Sequence, residues 1–337
     1  MMHAVGPKSV DIDADVDADG DEAREYVENV RLLSEGSVRR SFDPYTDIDW
    51  DNPEFAVEAN EEGWILPAAS DVMARHPWYQ GLPTEKKIAI GKYRTANMCK
   101  VALQNECVLI SGMAVFNFGL PVGSPEFEYC THEMIEEHNH NLMFAELIKR
   151  IGPAEPGPMW LRRGRTAGAL AAALAPNLFF MIVQVVEDVP DCMQKMILRA
   201  GDQVHPLLRN VISIHVAEES RHISFTREFL KKNVPPKNPL SKFVLSMAFP
   251  LIIRMSSRVL LLPSMRFYRK FDVPKDVQRQ MYGTPEAAQY LSEFFTDSRT
   301  LAHEIGLMNP VAKALWKMLR IDGGRSRFRS EPLRRAR

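Results

Sequence analysis

The sequence predicts an all-α protein built on a bundle of long helices. Apolar residues recur at the 3.6-residue helical period over most of the chain, whereas the strict alternation typical of strands is rare. Proline-rich links at residues 153–158 and 235–239 separate the candidate helices. We expect helices near residues 84–118, 125–150, 166–199, 203–231, 239–261, 277–293 and 296–320.

Length and composition favour one large helical domain with two short tails. At 337 residues and 45% hydrophobic content, the chain can bury a sizeable core. Residues 1–25 are predicted to form a disordered acidic tail, because acids alternating with small residues bury too little apolar surface. Residues 26–322 are predicted to form the helical domain, and the Arg-rich residues 323–337 a flexible basic tail.

Charge and cysteine usage narrow the class of protein. A formal net charge of −1 predicts no general affinity for nucleic acid or for an anionic membrane. The cysteines show no CxxC pair and no signal peptide precedes them, so we expect reduced thiols in a cytoplasmic protein.

One apolar stretch, from Phe243 to Leu262, resembles a membrane span. Arg254 and Arg258 lie four residues apart within it and Pro250 lies in its middle, which a bilayer would disfavour. We interpret the stretch as an amphipathic helix that packs on the bundle or at a subunit interface. A peripheral membrane contact is the alternative.

Two short motifs each place a Glu and a His three residues apart. Positions i, i+3, i+4 and i+7 of a helix share one face, so Glu137 and His140 point the same way. In the second motif His215, Glu219 and His222 also share a face. Each of these helices can therefore offer several ligands to the same metal site.

A four-helix bundle with two metal ions needs Glu-x-x-His from two helices and a single Glu from each of the other two. Glu106 and Glu187 lie in apolar runs, where a carboxylate is costly unless it is paired or metal-bound. A lone Glu-x-x-His usually faces solvent, so the prediction depends on finding both Glu-x-x-His motifs together with both single Glu residues. This complete set indicates a ferritin-like bundle with additional helices around a di-metal core. The neighbours Glu133, Glu136 and Glu218 are predicted to face solvent or to lie behind the ligands.

The full ligand set resembles that of the AurF-type p-aminobenzoate N-oxygenases, which are di-iron proteins of similar length. The resemblance extends over residues 60–320 and rests on seven residues: Glu106, Glu137, His140, Glu187, His215, Glu219 and His222. Its most specific feature is the third histidine, His215. If His215 is not a ligand, it would instead be a hydrogen-bond donor behind the ligands, or a core histidine that is hydrogen-bonded to a carbonyl.

Two neighbouring families match less well. Soluble acyl-carrier desaturases have similar Glu-Glu-x-x-His strings, but the third histidine argues against them. The radical subunit of ribonucleotide reductase has a Tyr four residues after the first motif's His, where this chain has Phe144. We therefore do not expect a stored tyrosyl radical.

The resemblance implies a di-iron centre held by all seven residues, with a mixed Mn/Fe pair less favoured. It implies that Glu137 and Glu219 bridge the metals and that Glu106 and Glu187 are terminal ligands. It also implies O2-dependent oxidation of an arylamine to hydroxylamine and nitro products through a peroxo-diferric intermediate. The implied partners are O2, a small-molecule substrate, an electron donor such as a reductase or ferredoxin, and a second subunit in a homodimer.

Two other functions remain open from the sequence. A di-iron hydroxylase or desaturase acting on an acyl or aliphatic substrate would be favoured by a long apolar tunnel near Phe179 and Phe180. A non-catalytic iron-binding protein is the other alternative. No motif identifies the substrate-binding residues, although Arg94, Arg221 and Arg299 are either anchors for a substrate carboxylate or structural ion pairs.

Overall fold

The computed structural model describes residues 12–152, 154–235 and 237–323. Within these ranges all regular structure is helical and there is no strand, which confirms the predicted all-α class. Short 3₁₀ turns occur at Pro53–Phe55, Glu62–Trp64 and Gly201–Gln203. The α-helices are α1 (Ile12–Arg39), α2 (Val72–Arg75), α3 (Pro77–Gln80), α4 (Thr84–Phe118), α5 (Pro125–Ile151), α6 (Met159–Arg163), α7 (Ala167–Leu174), α8 (Pro176–Arg199), α9 (Pro206–Asn233), α10 (Pro239–Leu260), α11 (Met265–Lys270), α12 (Lys275–Tyr282), α13 (Pro285–Glu293), α14 (Thr296–Glu304) and α15 (Pro310–Met318).

The longest helices begin and end close to their predicted positions because the sequence supplies clear capping residues. Before α5, the Ser124 hydroxyl accepts a hydrogen bond from the Phe127 amide, and Gly152 ends the helix at a φ of 123°. Before α9, the His205 side chain accepts a hydrogen bond from the Leu207 amide. Local sequence is therefore sufficient to place these helices.

Three of the predicted helices are each divided in two. The predicted helix 166–199 forms α7 and α8, 277–293 forms α12 and α13, and 296–320 forms α14 and α15. Each second helix begins at a proline, namely Pro176, Pro285 or Pro310. Proline has no backbone N–H, which is tolerated in the first turn but removes a hydrogen bond further inside. These prolines therefore begin new helices.

Helices α4, α5, α8 and α9 form the central bundle. Helix α4 packs along α5 and α8 packs along α9, while α5 also faces α9. Their shared interior is a continuous apolar core with polar side chains from all four helices at its centre. Outside the bundle, α1 covers α5 and α9, α7 covers α4 and α8, and α10 packs on α8. This is the predicted ferritin-like arrangement with additional helices.

Helix α1 (Ile12–Arg39) runs without a break across the boundary proposed at residue 25, between the acidic tail and the helical domain. Tyr26, Val30, Ser34 and Ser37 are buried at helical spacing against the bundle. The anchored second half of α1 thus extends into the acidic first half, whose composition alone predicted disorder. Residues 1–11 and 324–337, including most of the predicted basic tail, lie outside the described residues.

Two stretches are long and apolar enough to cross a membrane by length and composition alone. They are Thr84–Phe118, which is α4, and Pro239–Lys270, which includes α10 and α11. Helix α4 lies in the central bundle, and the buried side of α10 packs on α8 and α15. Their hydropathy therefore reflects in part the apolar core that both helices help to form.

The close approach of the 3₁₀ turn Glu62–Trp64 to α4 requires glycine at position 91. A Cβ atom there would overlap the carbonyl oxygen of Trp64, which is backbone and cannot rotate away. Gly91→Ala is expected to lower the free energy of unfolding by about 1–3 kcal/mol, as overpacking does. Gly20→Ala on α1 is the control, because a Cβ atom there meets no other atom. This variant should raise the free energy of unfolding by roughly 0.5–1 kcal/mol, since alanine favours a helix over glycine. Denaturant titration of both variants measures the difference, and equal stability would contradict the close approach.

Candidate metal centre

The structure gathers the candidate ligands at the centre of the bundle. All seven are buried: Glu106, Glu137, His140, Glu187, His215, Glu219 and His222. Six of them fall into groups of side chains whose ligand atoms lie within 4.8 Å of one another. The exception, Glu187, lies beside these groups, close enough to Glu219 for each carboxyl group to shift the pKa of the other.

Glu137 and Glu219 occupy the middle of the cluster. The two oxygens of Glu137 lie 3.0 Å from His222 Nδ1 and 3.4 Å from His140 Nδ1. The two oxygens of Glu219 lie 3.5 Å from His222 Nδ1 and 3.6 Å from His140 Nδ1. Each carboxylate therefore presents one oxygen toward each histidine, which is the arrangement of a group placed between two metal positions.

The first glutamate of each Glu-Glu-x-x-His motif contacts the histidine of the other motif. His222 Nε2 lies 2.7 Å from Glu136, and His140 Nε2 lies 2.9 Å from Glu218. A carboxylate oxygen can only accept, so Nε2 carries a proton in both rings, and Nδ1 is the nitrogen that faces Glu137 and would bind a metal. Glu136 and Glu218 are buried, so they do not face solvent and take the other predicted position, behind the ligands.

Arg221 holds these outer carboxylates. Its guanidinium lies 2.7 Å from Glu136 and 3.7 Å from Glu218. Burial opposes ionisation of Glu136, but the hydrogen bond from His222 and the positive charge of Arg221 lower its pKa overall. Glu136 therefore stays a hydrogen-bond acceptor, and it fixes the orientation of the His222 ring.

Glu133 is a site residue that the sequence reasoning missed. It is fully buried and forms a group with Glu137 and His222. Burial raises its pKa to about 8. It lies four residues before Glu137, so it shares the ligand face of α5, and this spacing was the signal that could have found it. His215 has the equivalent position on α9, four residues before Glu219.

His215 has the environment expected of a ligand rather than of a structural histidine. Nε2 lies 3.2 Å from Glu219 and 3.5 Å from Glu106, and neither ring nitrogen has a hydrogen-bond partner among the described residues. No carbonyl oxygen in the described ranges accepts a hydrogen bond from it. Burial lowers its pKa to about 4, so the ring is neutral at pH 7 and has a lone pair to offer.

The donor set fits a pair of divalent cations. Within the described part of the chain, several buried ligand atoms have no hydrogen-bond partner, among them both oxygens of Glu219 and His222 Nδ1. Burial and the charge of Glu137 raise the pKa of Glu106 well above its usual range, and burial also raises that of Glu187. Such groups are costly inside a protein unless a cation compensates them. Oxygen and imidazole ligands suit iron or manganese.

An apolar cavity of about 450 Å³ lies next to the cluster. Four of its lining residues, one from each bundle helix, lie about one helical turn from a candidate ligand: Ala102, Phe144, Pro190 and Val211. The exposed residues Arg258 and Arg266 line it too, so the cavity opens to the surface beside α10 and α11. Phe179 and Phe180 are core residues that do not line it, so this cavity is not at the tunnel position considered from the sequence.

The three arginines considered as substrate anchors all have structural partners. Arg94 Nη2 lies 2.6 Å from Asp71, and Arg221 pairs with Glu136. Arg299 donates to the carbonyl oxygens of Ser292 and Ile321. Their side chains therefore hold parts of the fold together. Arg94 also lines the cavity, but its guanidinium is occupied by Asp71.

Removing the carboxylate behind a histidine tests how the rings are oriented. Glu136→Gln is expected to weaken iron binding by about 10–100-fold, because the His222 ring loses its charged acceptor. Glu128→Gln, an exposed change on the same helix, is the control and should bind iron like the parent protein. Competition titration with a coloured iron chelator measures both affinities. Equal affinity in the two variants would mean that Glu136 does not orient a ligand.

Comparison with known proteins agrees with this architecture. The family model described as p-aminobenzoate N-oxygenase AurF matches residues 23–306. Uncharacterized proteins of Mycobacterium bovis and of two Mycobacterium tuberculosis strains are 47% identical to this chain over 312 residues, covering 92% of it and 92% of each relative. The chain therefore belongs to the AurF family of p-aminobenzoate N-oxygenases.

Proposed function

We propose that this protein is an O2-dependent di-iron oxygenase that N-oxygenates an arylamine. The observation that carries the proposal is the buried cluster of carboxylates and histidines with unpartnered ligand atoms, in a chain of the AurF family. We further propose a cytoplasmic homodimer that receives electrons from a separate donor.

The seven candidate residues would hold the two ions in unlike surroundings. Glu106, His140 and His215 form one group, and Glu137 and His222 belong to another on the opposite side, near Glu187. Glu137 and Glu219 would bridge, because each directs one oxygen toward each histidine. Four carboxylates balance the charge of two ferrous ions. Bound iron would supply the redox chemistry that activates O2.

The chain itself would orient the ligands, exclude water and position the substrate. Glu136 and Glu218 keep Nδ1 of both histidines directed at the cluster. Apolar side chains of the cavity, including Phe144 and Val211, keep bulk water from the inner end. The cavity volume of about 450 Å³ lies within the range for small-molecule sites.

Gln194 is the polar residue of the cavity best placed to bind a substrate. It is 7% exposed, and its side-chain oxygen has no hydrogen-bond partner among the described residues. It lies two turns beyond Glu187 on α8, about 10 Å along the helix axis. Its oxygen would accept a hydrogen bond from a donor group of a substrate that fills the cavity.

The mainly apolar wall also favours a second candidate function, the oxidation of a C–H bond in an acyl or aliphatic substrate. Met98, Met193 and Leu208 line the cavity, and such walls accept an alkyl chain as readily as an aromatic ring. A non-catalytic iron-binding protein would need the same ligands but no substrate cavity. The choice between these functions depends on the reaction with amines.

His215→Ala tests the ligand that distinguishes this family. The variant should keep its fold, because the side chain makes no hydrogen bond within the described residues, and it should lose most amine oxidation. Glu137→Ala, at the centre of the cluster, should instead fail to hold two irons per chain. Circular dichroism, iron analysis and turnover separate these outcomes. Full activity of His215→Ala, or two irons in Glu137→Ala, would mean that the ligands are assigned incorrectly.

The proposed reaction can be followed directly. Purified protein is loaded anaerobically with two equivalents of Fe(II) and mixed with O2 in a stopped-flow spectrometer, with or without p-aminobenzoate. A transient visible absorption that decays faster with the amine, together with oxidised amine in the product, is expected for an N-oxygenase. An equal decay rate would move the search to acyl or aliphatic substrates. Iron binding without any transient would favour the non-catalytic alternative.

A further inference from the structure

Large apolar side chains are exposed on the outward face of α10 and at the start of α11. Leu240, Val244, Leu251 and Met255 on α10 and Met265 on α11 are between 46% and 74% exposed. The α10 residues recur at intervals of four and seven, so they share one side of the helix. We call these five residues the α10 stripe.

Packing of the bundle does not account for the α10 stripe. The opposite side of α10 supplies the buried contacts, with Phe249 and Ile253 fully inaccessible to solvent. That side packs on α8 and α15. The stripe is therefore apolar surface beyond what the fold of the single chain uses.

The same segment is strongly basic. Residues 239–271 contain no Asp or Glu but six cationic residues: Lys242, Arg254, Arg258, Arg266, Arg269 and Lys270. The whole chain has a net charge of −1, so this positive charge is local. Arg254 and Arg258 lie on the exposed side of α10, each three residues beyond a member of the stripe. Partial burial and the charge of Arg258 both lower the pKa of Arg254.

We propose that the α10 stripe and its flanking cations dock on the surface of a bilayer that contains anionic lipids. Apolar side chains would enter the boundary between headgroups and acyl chains, and the arginines would contact lipid phosphates. A second copy of the chain fits less well, because a two-fold contact would bring arginines of both copies together without an acid in either segment. A membrane-spanning helix is disfavoured, because Arg254 and Arg258 would lie inside the bilayer, where a charged side chain is costly.

The cavity beside the metal cluster opens within the docking face. Arg258 and Met265 belong both to this face and to the cavity lining, together with Leu262 and Pro263 between α10 and α11. A substrate dissolved in the bilayer could therefore enter the cavity without crossing bulk water. This consequence rests on the proposed function, whereas the docking itself does not.

Sedimentation of the full chain with lipid vesicles tests the docking. The protein should cosediment with vesicles of phosphatidylcholine and phosphatidylglycerol and remain in solution with phosphatidylcholine alone. The double variant Arg254→Gln/Arg258→Gln should lower the partition coefficient on the order of thirtyfold, from the contribution of two cations near the surface. Leu251→Ser/Met255→Ser should lower it by a similar factor through loss of apolar contact.

Matched controls lie on α1, which packs on α5 and α9, away from α10. Arg24→Gln/Arg31→Gln removes the same charge from side chains that are 85% and 69% exposed. Leu32→Ser/Val38→Ser removes exposed apolar surface there. Neither control should change vesicle binding. Equal loss in the α1 and α10 variants would mean nonspecific attraction and would overturn the proposal.

Two further measurements separate docking from other outcomes. Light scattering in the absence of lipid should give a molar mass that Leu251→Ser/Met255→Ser leaves unchanged. A dimer that this variant dissociates would assign the face to a second copy and overturn the proposal. Iron content and p-aminobenzoate turnover of the same variant should equal those of the parent. Vesicle binding without turnover in either protein would contradict the proposed function while leaving the docking supported.

Discussion

The cost of burying several carboxylates in one apolar core constrains the rest of this structure. Glu106, Glu133, Glu137, Glu187 and Glu219 converge inside the bundle, where an uncompensated negative charge is strongly unfavourable. The four long helices are placed so that histidines, one arginine and the proposed cations can compensate that charge. The apolar core around the carboxylates raises the free-energy cost of burying their charge. It also keeps water from the cluster.

Helices α5 and α9 compensate part of this negative charge because a glutamate of each helix hydrogen-bonds to a histidine of the other. Glu136 on α5 bonds to His222 on α9, and Glu218 on α9 bonds to His140 on α5. These two contacts are equivalent in the two helices. One helical turn before them the equivalence is lost, because α5 has Glu133 where α9 has His215. The side near His215 and Glu106 is therefore richer in nitrogen, whereas the side near Glu133 and Glu187 is richer in oxygen. Two metals bound here would differ in electron density.

The cavity and the outward face of α10 extend the same architecture to the protein surface. The bundle helices supply the inner wall of the cavity one turn from the ligands, and α10 and α11 supply its opening. A helix that is packed on one side and apolar and basic on the other can join an internal cavity to a lipid surface. The apolar stretch at 243–262 has both sides, since some of its apolar residues pack in the core and others lie exposed beside Arg254 and Arg258.

The sequence by itself determined the class of fold, the ends of the longest helices and the residues that share a helical face, because these depend on periodicity and capping within a few residues. It therefore predicted Glu137, His140, Glu219 and His222 as a converging set and, from family resemblance, singled out His215. Only the tertiary structure decided that Glu136 and Glu218 bond to histidines of the opposite helix, that Glu133 joins the cluster and that α1 continues through its acidic half. These features depend on the rotation and separation of packed helices, which contacts between distant parts of the chain set.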